Sequence, residues 1–113
     1  MNSAVLPEWI AIKQVTNLSK QKHFEMSVEK GEASSIALAL EIPNSILIID
    51  EKKGRGLAQS LHLEIIGTLK VLLLAKQKGI IPSVKPLLVE LDQHNFRFSK
   101  LLVKEVLIEA RED

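Results

Sequence analysis

Two carboxylates in the sequence have positions suited to binding a hard cation or moving a proton. Asp50 directly follows the apolar run at residues 46–49, and Glu32 begins the apolar helix pattern that precedes this run. A helix packed antiparallel to the strand would place its first turn beside the strand's carboxyl end, where ligands collect in open parallel sheets. Two close carboxylates either share a proton or bind a divalent cation such as Mg²⁺. A structural interpretation stays open, because an acid in a first helical turn or an aspartate after a strand is also a common helix cap.

Three basic residues, Lys52, Lys53 and Arg55, follow Asp50 at the predicted start of a helix. Cations at a helix N-terminus oppose the helix dipole, and a bound phosphate group would compensate for this cost. The three residues are therefore candidate nucleic-acid contacts. Three charges alone favour the simpler interpretation, which is a solvated loop softened by two glycines.

The elements that would position these residues alternate between strand and helix. A β-prone run at residues 9–12 predicts a short strand, and the apolar spacing of residues 33–40 predicts a helix. The run at residues 46–49 is apolar at every position, which is typical of a parallel strand covered on both faces. A second short strand is predicted at residues 65–66. We therefore predict an α/β fold in which helices flank a short parallel sheet.

The last third of the sequence is predicted to be helical. Thr68 can cap a helix that ends at Gly79, Ser83 can cap the next helix, and Ser99 starts the final one. Residues 111–113 are charged and should form a solvated tail. This third of the chain should add helices to the fold but no strand to the sheet.

The composition bounds the class of protein. The chain has 113 residues, no cysteine and a net charge of +1, so it fits a single domain without disulfides and without a strongly basic field. No apolar run approaches the ~20 residues that cross a bilayer, and no signal-peptide pattern opens the chain, so we predict a cytoplasmic protein without a membrane span. The three histidines are far apart and no dinucleotide or Walker motif is present, which disfavours zinc and nucleotide cofactors.

The sequence contains three ordered motifs at compatible spacings: GEASSIALA at residues 31–39, IIDEKKGR at residues 48–55 and IGTL at residues 66–69. Together they resemble PIN-domain proteins, most of all the prokaryotic PIN-like group often described as predicted nucleic-acid-binding proteins. The resemblance covers the chain from about residue 6 to its end. It implies a compact α/β nuclease fold, many of whose members are Mg²⁺- or Mn²⁺-dependent ribonucleases, including toxins of toxin–antitoxin pairs.

The resemblance also implies roles for three acidic residues. Glu32 matches the family's helix carboxylate, Asp50 its aspartate after the strand, and Glu51 a second acid that many relatives carry. Glu32 and Asp50 are therefore the candidate catalytic residues. With Glu51 they form the candidate ligand set for Mg²⁺ or Mn²⁺.

The start of the chain departs from the family pattern. PIN domains begin with a strand that ends in an aspartate, whereas Asp50 is the first aspartate in this sequence. We therefore expect one truncated PIN-like domain over residues 1–113, without the N-terminal strand and its following helices. Unpaired strand edges and an uncovered apolar face favour self-association. We predict a homodimer or higher assembly, formed through the strand near residues 9–12 or the helices around Leu72 and Val106.

Two functions from different classes follow. The first is a PIN-like nucleic-acid-binding protein related to metal-dependent ribonucleases, with an incomplete acidic site and weak or absent nuclease activity. Its expected partners are RNA and an antitoxin-like protein. The alternative is a non-catalytic interaction protein, either a dimerising remnant or the split partner of a separately encoded N-terminal segment.

Overall fold

The computed structural model describes residues 5–113, which form two compact units. Unit 1 contains residues 5–47 together with 51–64, and unit 2 contains residues 48–50 together with 65–113. The described residues contain six helices and two strands, so the predicted α/β class is confirmed. In order they are α1 (Leu18–Phe24), α2 (Lys30–Glu41), β1 (Leu47–Ile48), α3 (Lys52–Ser60), β2 (Ile65–Ile66), α4 (Thr68–Gln77), α5 (Lys85–Gln93) and α6 (Lys100–Glu109). A single domain over residues 1–113 stays a prediction.

The sheet consists, in the described part of the chain, of β1 and β2. The backbone N–H of Leu47 donates to the carbonyl oxygen of Glu64 at 2.9 Å, and that of Ile49 donates to Ile66 at 2.9 Å. Both donors and acceptors advance by two residues in the same direction, which identifies a parallel pair. The predicted short parallel sheet is therefore confirmed.

Strand β1 is covered on one face only, which corrects the expectation of a strand buried on both faces. Leu47 and Ile49 are buried, whereas Ile46 and Ile48 are more than half exposed. Exposure alternates along the run because successive side chains of a strand point to opposite faces. The apolar residue types did not reveal which face would be left open.

Residues 9–12 do not form the predicted strand, and no helix or strand lies in residues 5–17. The N–H of Ile10 donates to the carbonyl of Pro7 at 3.0 Å, so a turn interrupts the run. Trp9, in the middle of this turn, is 83% exposed. Strand propensity reflects packing against neighbouring strands, and this segment has none in the described residues.

Unit 1 is organised by α2, whose inward face carries the buried side chains of Ala33, Ile36 and Ala37. The helix ends at Glu41 because Ile42, which precedes a proline, has extended backbone angles. Helix α1 packs against α2.

The carboxylate of Glu41 also completes the start of α1. It accepts hydrogen bonds from the backbone N–H groups of Thr16 at 3.1 Å and Asn17 at 3.0 Å. These N–H groups, that of Asn17 first, hold the pKa of Glu41 below its usual value. The side chain of Asn17 in turn accepts from the N–H of Lys20. A carboxylate from the end of one helix therefore caps the beginning of another.

Unit 2 is a helical cluster in which α4 and α6 are in contact. Its core is formed by Leu69, Leu73, Val84, Val106 and Ala110. Helix α4 ends as predicted, since Gly79 follows its C-cap with a positive φ of 75°. No helix in residues 5–113 is long and apolar enough to cross a membrane.

Glu112 corrects the expectation of a solvated C-terminal tail. One carboxylate oxygen accepts from the N–H of Val84 at 2.8 Å and the other from the N–H of Lys85 at 3.0 Å, and Lys76 adds an ion pair at 3.0 Å. The two backbone N–H groups, followed by Lys76, lower the pKa of Glu112 to about 2. Ser83 is not the cap of α5, since Val84 is the N-cap residue and Glu112 supplies the acceptors.

Candidate acidic site

An open cleft of about 480 Å³ on unit 1 brings four glutamates together with one lysine. The cleft lies beside the first turn of α2 and the first turn of α3. Two of the sequence-predicted metal ligands and one predicted nucleic-acid contact are among its lining residues. They are Glu25, Met26, Ser27, Val28, Glu29, Glu32, Glu51 and Lys53.

Glu32 lies in the first turn of α2, as the sequence predicted. Its carboxylate accepts a hydrogen bond from the backbone N–H of Glu29, the N-cap residue, which is half of a capping box. Burial raises the pKa of the Glu32 carboxyl above its usual value, and the negative charges of Glu51 and Glu29 raise it further, while the N–H of Glu29 opposes the rise. Glu32 is thus a carboxylate whose negative charge its surroundings disfavour.

Glu51 has a structural task at the start of α3. It is the N-cap residue, and its Oε2 accepts from the N–H of Lys53 at 2.8 Å and the N–H of Gly54 at 3.1 Å. These bonds hold its carboxylate at the helix N-terminus, where the dipole favours negative charge. Its position in the cleft also makes it a neighbour of Glu32.

Asp50 belongs to unit 2, where its carboxylate accepts hydrogen bonds from Thr68, the first residue of α4. Its Oδ1 accepts from the N–H of Thr68 at 2.8 Å, and its Oδ2 accepts from the hydroxyl of Thr68 at 2.6 Å. Thr68 is therefore the first helical residue and not the cap, because Gly67 holds the N-cap position without a side chain. Glu32 belongs to the other unit, and a metal site shared by Glu32 and Asp50 stays a prediction.

The three predicted nucleic-acid contacts lie in the first half of α3, which rules out the alternative of a simple loop. Lys52 and Lys53 are exposed, and Lys53 lines the cleft beside Glu32. Arg55 is half-buried. The first turn of α3 therefore presents two exposed ammonium groups, which attract anions, while its N–H groups at Lys53 and Gly54 are occupied by Glu51. Their contact with nucleic acid stays a prediction.

The donor set of the cleft suits a hard cation held mainly by water and substrate. Mg²⁺ needs only one or two protein carboxylates, and Glu32 with Glu51 can supply them. A cation would also relieve the repulsion that raises the pKa of Glu32. Within residues 5–113 no group of three or more acidic or histidine side chains is placed to hold a metal.

Sequence reasoning missed Thr68 as a partner of Asp50 and missed two of the acids in the cleft. Glu25, Glu29 and Glu32 are spaced four and three residues apart, a pattern that was available in the sequence. The sequence did not show that a turn between α1 and α2 would bring this pattern to a single cleft. The contact between Asp50 and Thr68 follows from the parallel pairing of β1 and β2, because the two residues come just after these strands.

The described residues thus form an α/β fold with an acidic cleft on unit 1. A family model described as a PIN domain matches residues 1–112, and the chain belongs to the PIN-domain family. PIN domains generally use Mg²⁺ or Mn²⁺, and membership indicates a nucleic-acid-binding, nuclease-like function. No curated protein and no solved structure shows a significant match to the chain.

Proposed function

We propose that this PIN-domain protein binds RNA beside the acidic cleft and hydrolyses it weakly or not at all. The observation that carries the proposal is the environment of Glu32. Its carboxylate is partly buried next to Glu51 and Glu29, so its pKa is raised, and Lys53 lines the same cleft. Natural sites that place like charges together in a cleft commonly serve binding or catalysis.

Different residues of the chain would have different roles in binding. Lys52 and Lys53 attract the phosphate backbone through their exposed ammonium groups. Glu51 fixes the first turn of α3 and so fixes the position of both lysines. Glu32 would hold a divalent cation, which when bound supplies a Lewis acid for the phosphate and its attacking water.

Weak hydrolysis is supported by the hydrogen bonds of two of the acids. Glu51 and Asp50 each accept two hydrogen bonds from the N-terminal residues of a helix. Part of their negative charge is therefore balanced by backbone dipoles and is less available to a metal ion. A loosely held cation is poorly positioned for displacement at phosphorus.

The binding experiment measures fluorescence anisotropy of a labelled single-stranded RNA, with and without Mg²⁺ or Mn²⁺. We expect Lys52→Gln/Lys53→Gln to weaken binding by about tenfold and to flatten its salt dependence, since phosphate contacts are lost. Lys70→Gln, on an exposed lysine of α4, is the control and should change binding little. Equal affinity of the double variant and the control would contradict the proposed contact surface.

The hydrolysis experiment incubates the same RNA with Mg²⁺, Mn²⁺ or a chelator and follows cleavage by electrophoresis. We expect at most slow cleavage. Fast metal-dependent cleavage that Glu32→Gln and Asp50→Asn both abolish would contradict the weak-activity part of the proposal. That result would place both carboxylates in one working site.

A second candidate function, a non-catalytic interaction protein, is favoured by exposed apolar side chains. Trp9 and Ile12, three residues apart in unit 1, are each more than 80% exposed. Exposed apolar patches mark interaction surfaces. Absence of RNA binding together with self-association would favour this function over the first. An antitoxin-like partner and a separately encoded N-terminal partner both stay predictions.

A further inference from the structure

Helix α6 carries an exposed apolar line on the side opposite the core of unit 2. Leu101 is 67% exposed and Ile108 is 48% exposed, and their spacing of seven residues places them on one face. Val106 and Ala110, on the opposite side of the helix, are buried in the core. The line formed by Leu101 and Ile108 therefore faces away from the core of unit 2.

The charges beside this line are sorted by sign. Lys100 and Lys104 lie on one side of it, and Glu105 and Glu109 lie on the other, as the rotation of 100° per residue dictates. All four side chains are exposed, and none of them forms an ion pair with another described residue. The face thus has a basic edge, an apolar centre and an acidic edge.

The same charges are unfavourable for α6 by itself. Its basic residues lie toward the N-terminus and its acidic residues toward the C-terminus, with no acid in the first turn and no base in the last. This order opposes the helix dipole. Lys100 with Lys104, and Glu105 with Glu109, are also like-charged pairs four residues apart, which destabilise an isolated helix.

We propose that this face of α6 binds a second copy of the same chain, with the two α6 helices parallel around a two-fold axis. In that arrangement the basic edge of each helix meets the acidic edge of its copy. Lys104 then approaches Glu105 of the partner subunit, while Leu101 and Ile108 each meet their own copies near the axis. Charge sorting across an apolar seam is the device that sets partner and orientation in parallel coiled coils.

The contact is small. Helix α6 has ten residues and is about 15 Å long, so pairing of α6 alone buries less than a standard interface. The expected behaviour is therefore a reversible, concentration-dependent dimer. Its ion pairs are at the surface, so high salt should weaken it.

Charge reversal tests the pairing by sedimentation equilibrium over about 10 μM to 1 mM. Lys104→Glu and Glu105→Lys should each weaken dimerisation by at least about tenfold, because each creates two like-charge contacts. An equimolar mixture of the two variants should dimerise again, since opposite charges then face each other. Lys70→Glu, on α4, makes the same change in net charge as Lys104→Glu and should leave the dimer unchanged.

Single cysteines test the orientation, since the natural chain has none. Leu101→Cys and Ile108→Cys should each form an intermolecular disulfide under mild oxidation, and Leu102→Cys, off the line on the same helix, should form much less. Efficient disulfide formation only in the mixture of the Leu101→Cys and Ile108→Cys variants would mean antiparallel pairing and would overturn the proposed geometry.

Two further results would overturn the proposal. One is a wild-type chain that stays monomeric over the whole concentration range. The other is a wild-type dimer that neither charge reversal weakens, which would place the interface elsewhere. Circular dichroism of each variant identifies any loss of helix, and the cysteine variants, which keep all the native charges, then provide an independent measurement.

Discussion

Both carboxylate oxygens of Asp50 are engaged by Thr68, one through the backbone N–H at 2.8 Å and one through the hydroxyl at 2.6 Å. The pair joins the residue that follows β1 to the first residue of α4. The first N–H groups of a helix have no partner within the helix, and Gly67 at the N-cap has no side chain to offer. Asp50 fills that role from a distance of 18 residues in the sequence.

We expect Asp50→Ala to destabilise the protein by about 1–2 kcal/mol, since it removes the acceptor that caps the start of α4. Thr68→Val should cost about 1 kcal/mol, and the double variant should cost less than the sum of the two, because both changes remove the same contact. Asp92→Ala is the matched control, because Asp92 is an exposed aspartate with only a 4.0 Å ion pair. Urea denaturation measures all four variants. A loss for Asp50→Ala no larger than that of the control would contradict the capping role.

Glu32→Gln should leave the protein as stable at neutral pH or slightly more so. The pKa of Glu32 is raised by burial and by Glu51 and Glu29, so its ionised form is disfavoured in the fold. The penalty is present above the folded pKa and absent below the unfolded pKa. The gain from Glu32→Gln should therefore shrink as the pH falls through the raised folded pKa and be absent below the unfolded value of 4.5. Thermal unfolding at pH 7 and pH 4 measures the difference, and a clear loss of stability at pH 7 would contradict the prediction.

Glu112 should make the protein sensitive to acid. Its pKa falls from 4.5 to about 2 on folding, so its contribution is complete above 4.5 and disappears as the pH drops through 2. Glu112→Gln should be less stable than the wild type at pH 7 by several degrees in Tm. It should also lose less stability between pH 5 and pH 2. If the stability of the two proteins changed with pH in parallel, the result would contradict this role. The pKa of Glu41 is also lowered, so adding Glu41→Gln to Glu112→Gln should flatten the dependence of stability on pH further.

Two glycines should respond to alanine in opposite directions. Gly56 lies inside α3 with open space where a Cβ would be, so Gly56→Ala should stabilise the protein by about 0.5–1 kcal/mol. Gly79 has a φ of 75°, so Gly79→Ala should destabilise it by about 1 kcal/mol, although the space around it is also open. Urea denaturation measures both variants. Because the space is open at both positions, a difference between them reports backbone conformation and not packing. If both variants changed the stability in the same direction, the different backbone requirements of Gly56 and Gly79 would be contradicted.

The features that the sequence predicted correctly depend on neighbours in the chain. The period of Ala33, Ile36 and Ala37 locates α2, and Gly79 ends α4 because few other residues adopt its backbone angles. The placement of Glu32 in a first turn followed from the same local pattern. Each of these features depends only on residues within one or two helical turns of it.

The features that the sequence did not predict depend on residues far apart. Ser83 and Thr68 had the local pattern of caps, but the acceptors come from Glu112 and Asp50. No local pattern identifies a partner that lies 28 residues away. The prediction of a strand at residues 9–12 was wrong for the same reason, because a strand needs a neighbouring strand, which strand propensity alone does not reveal.

The remote caps also set an order for folding. Helices α3 and α6 are capped by Glu51 and Ser99, which directly precede them, so both can form within their own segments. Helices α4 and α5 receive their caps from carboxylates 18 and 28 residues away and gain full stability only after those loops have closed. The amides of Thr68 and Val84 should therefore gain protection from hydrogen exchange after the amides of α3 and α6, which makes them reporters of the closure of these two loops.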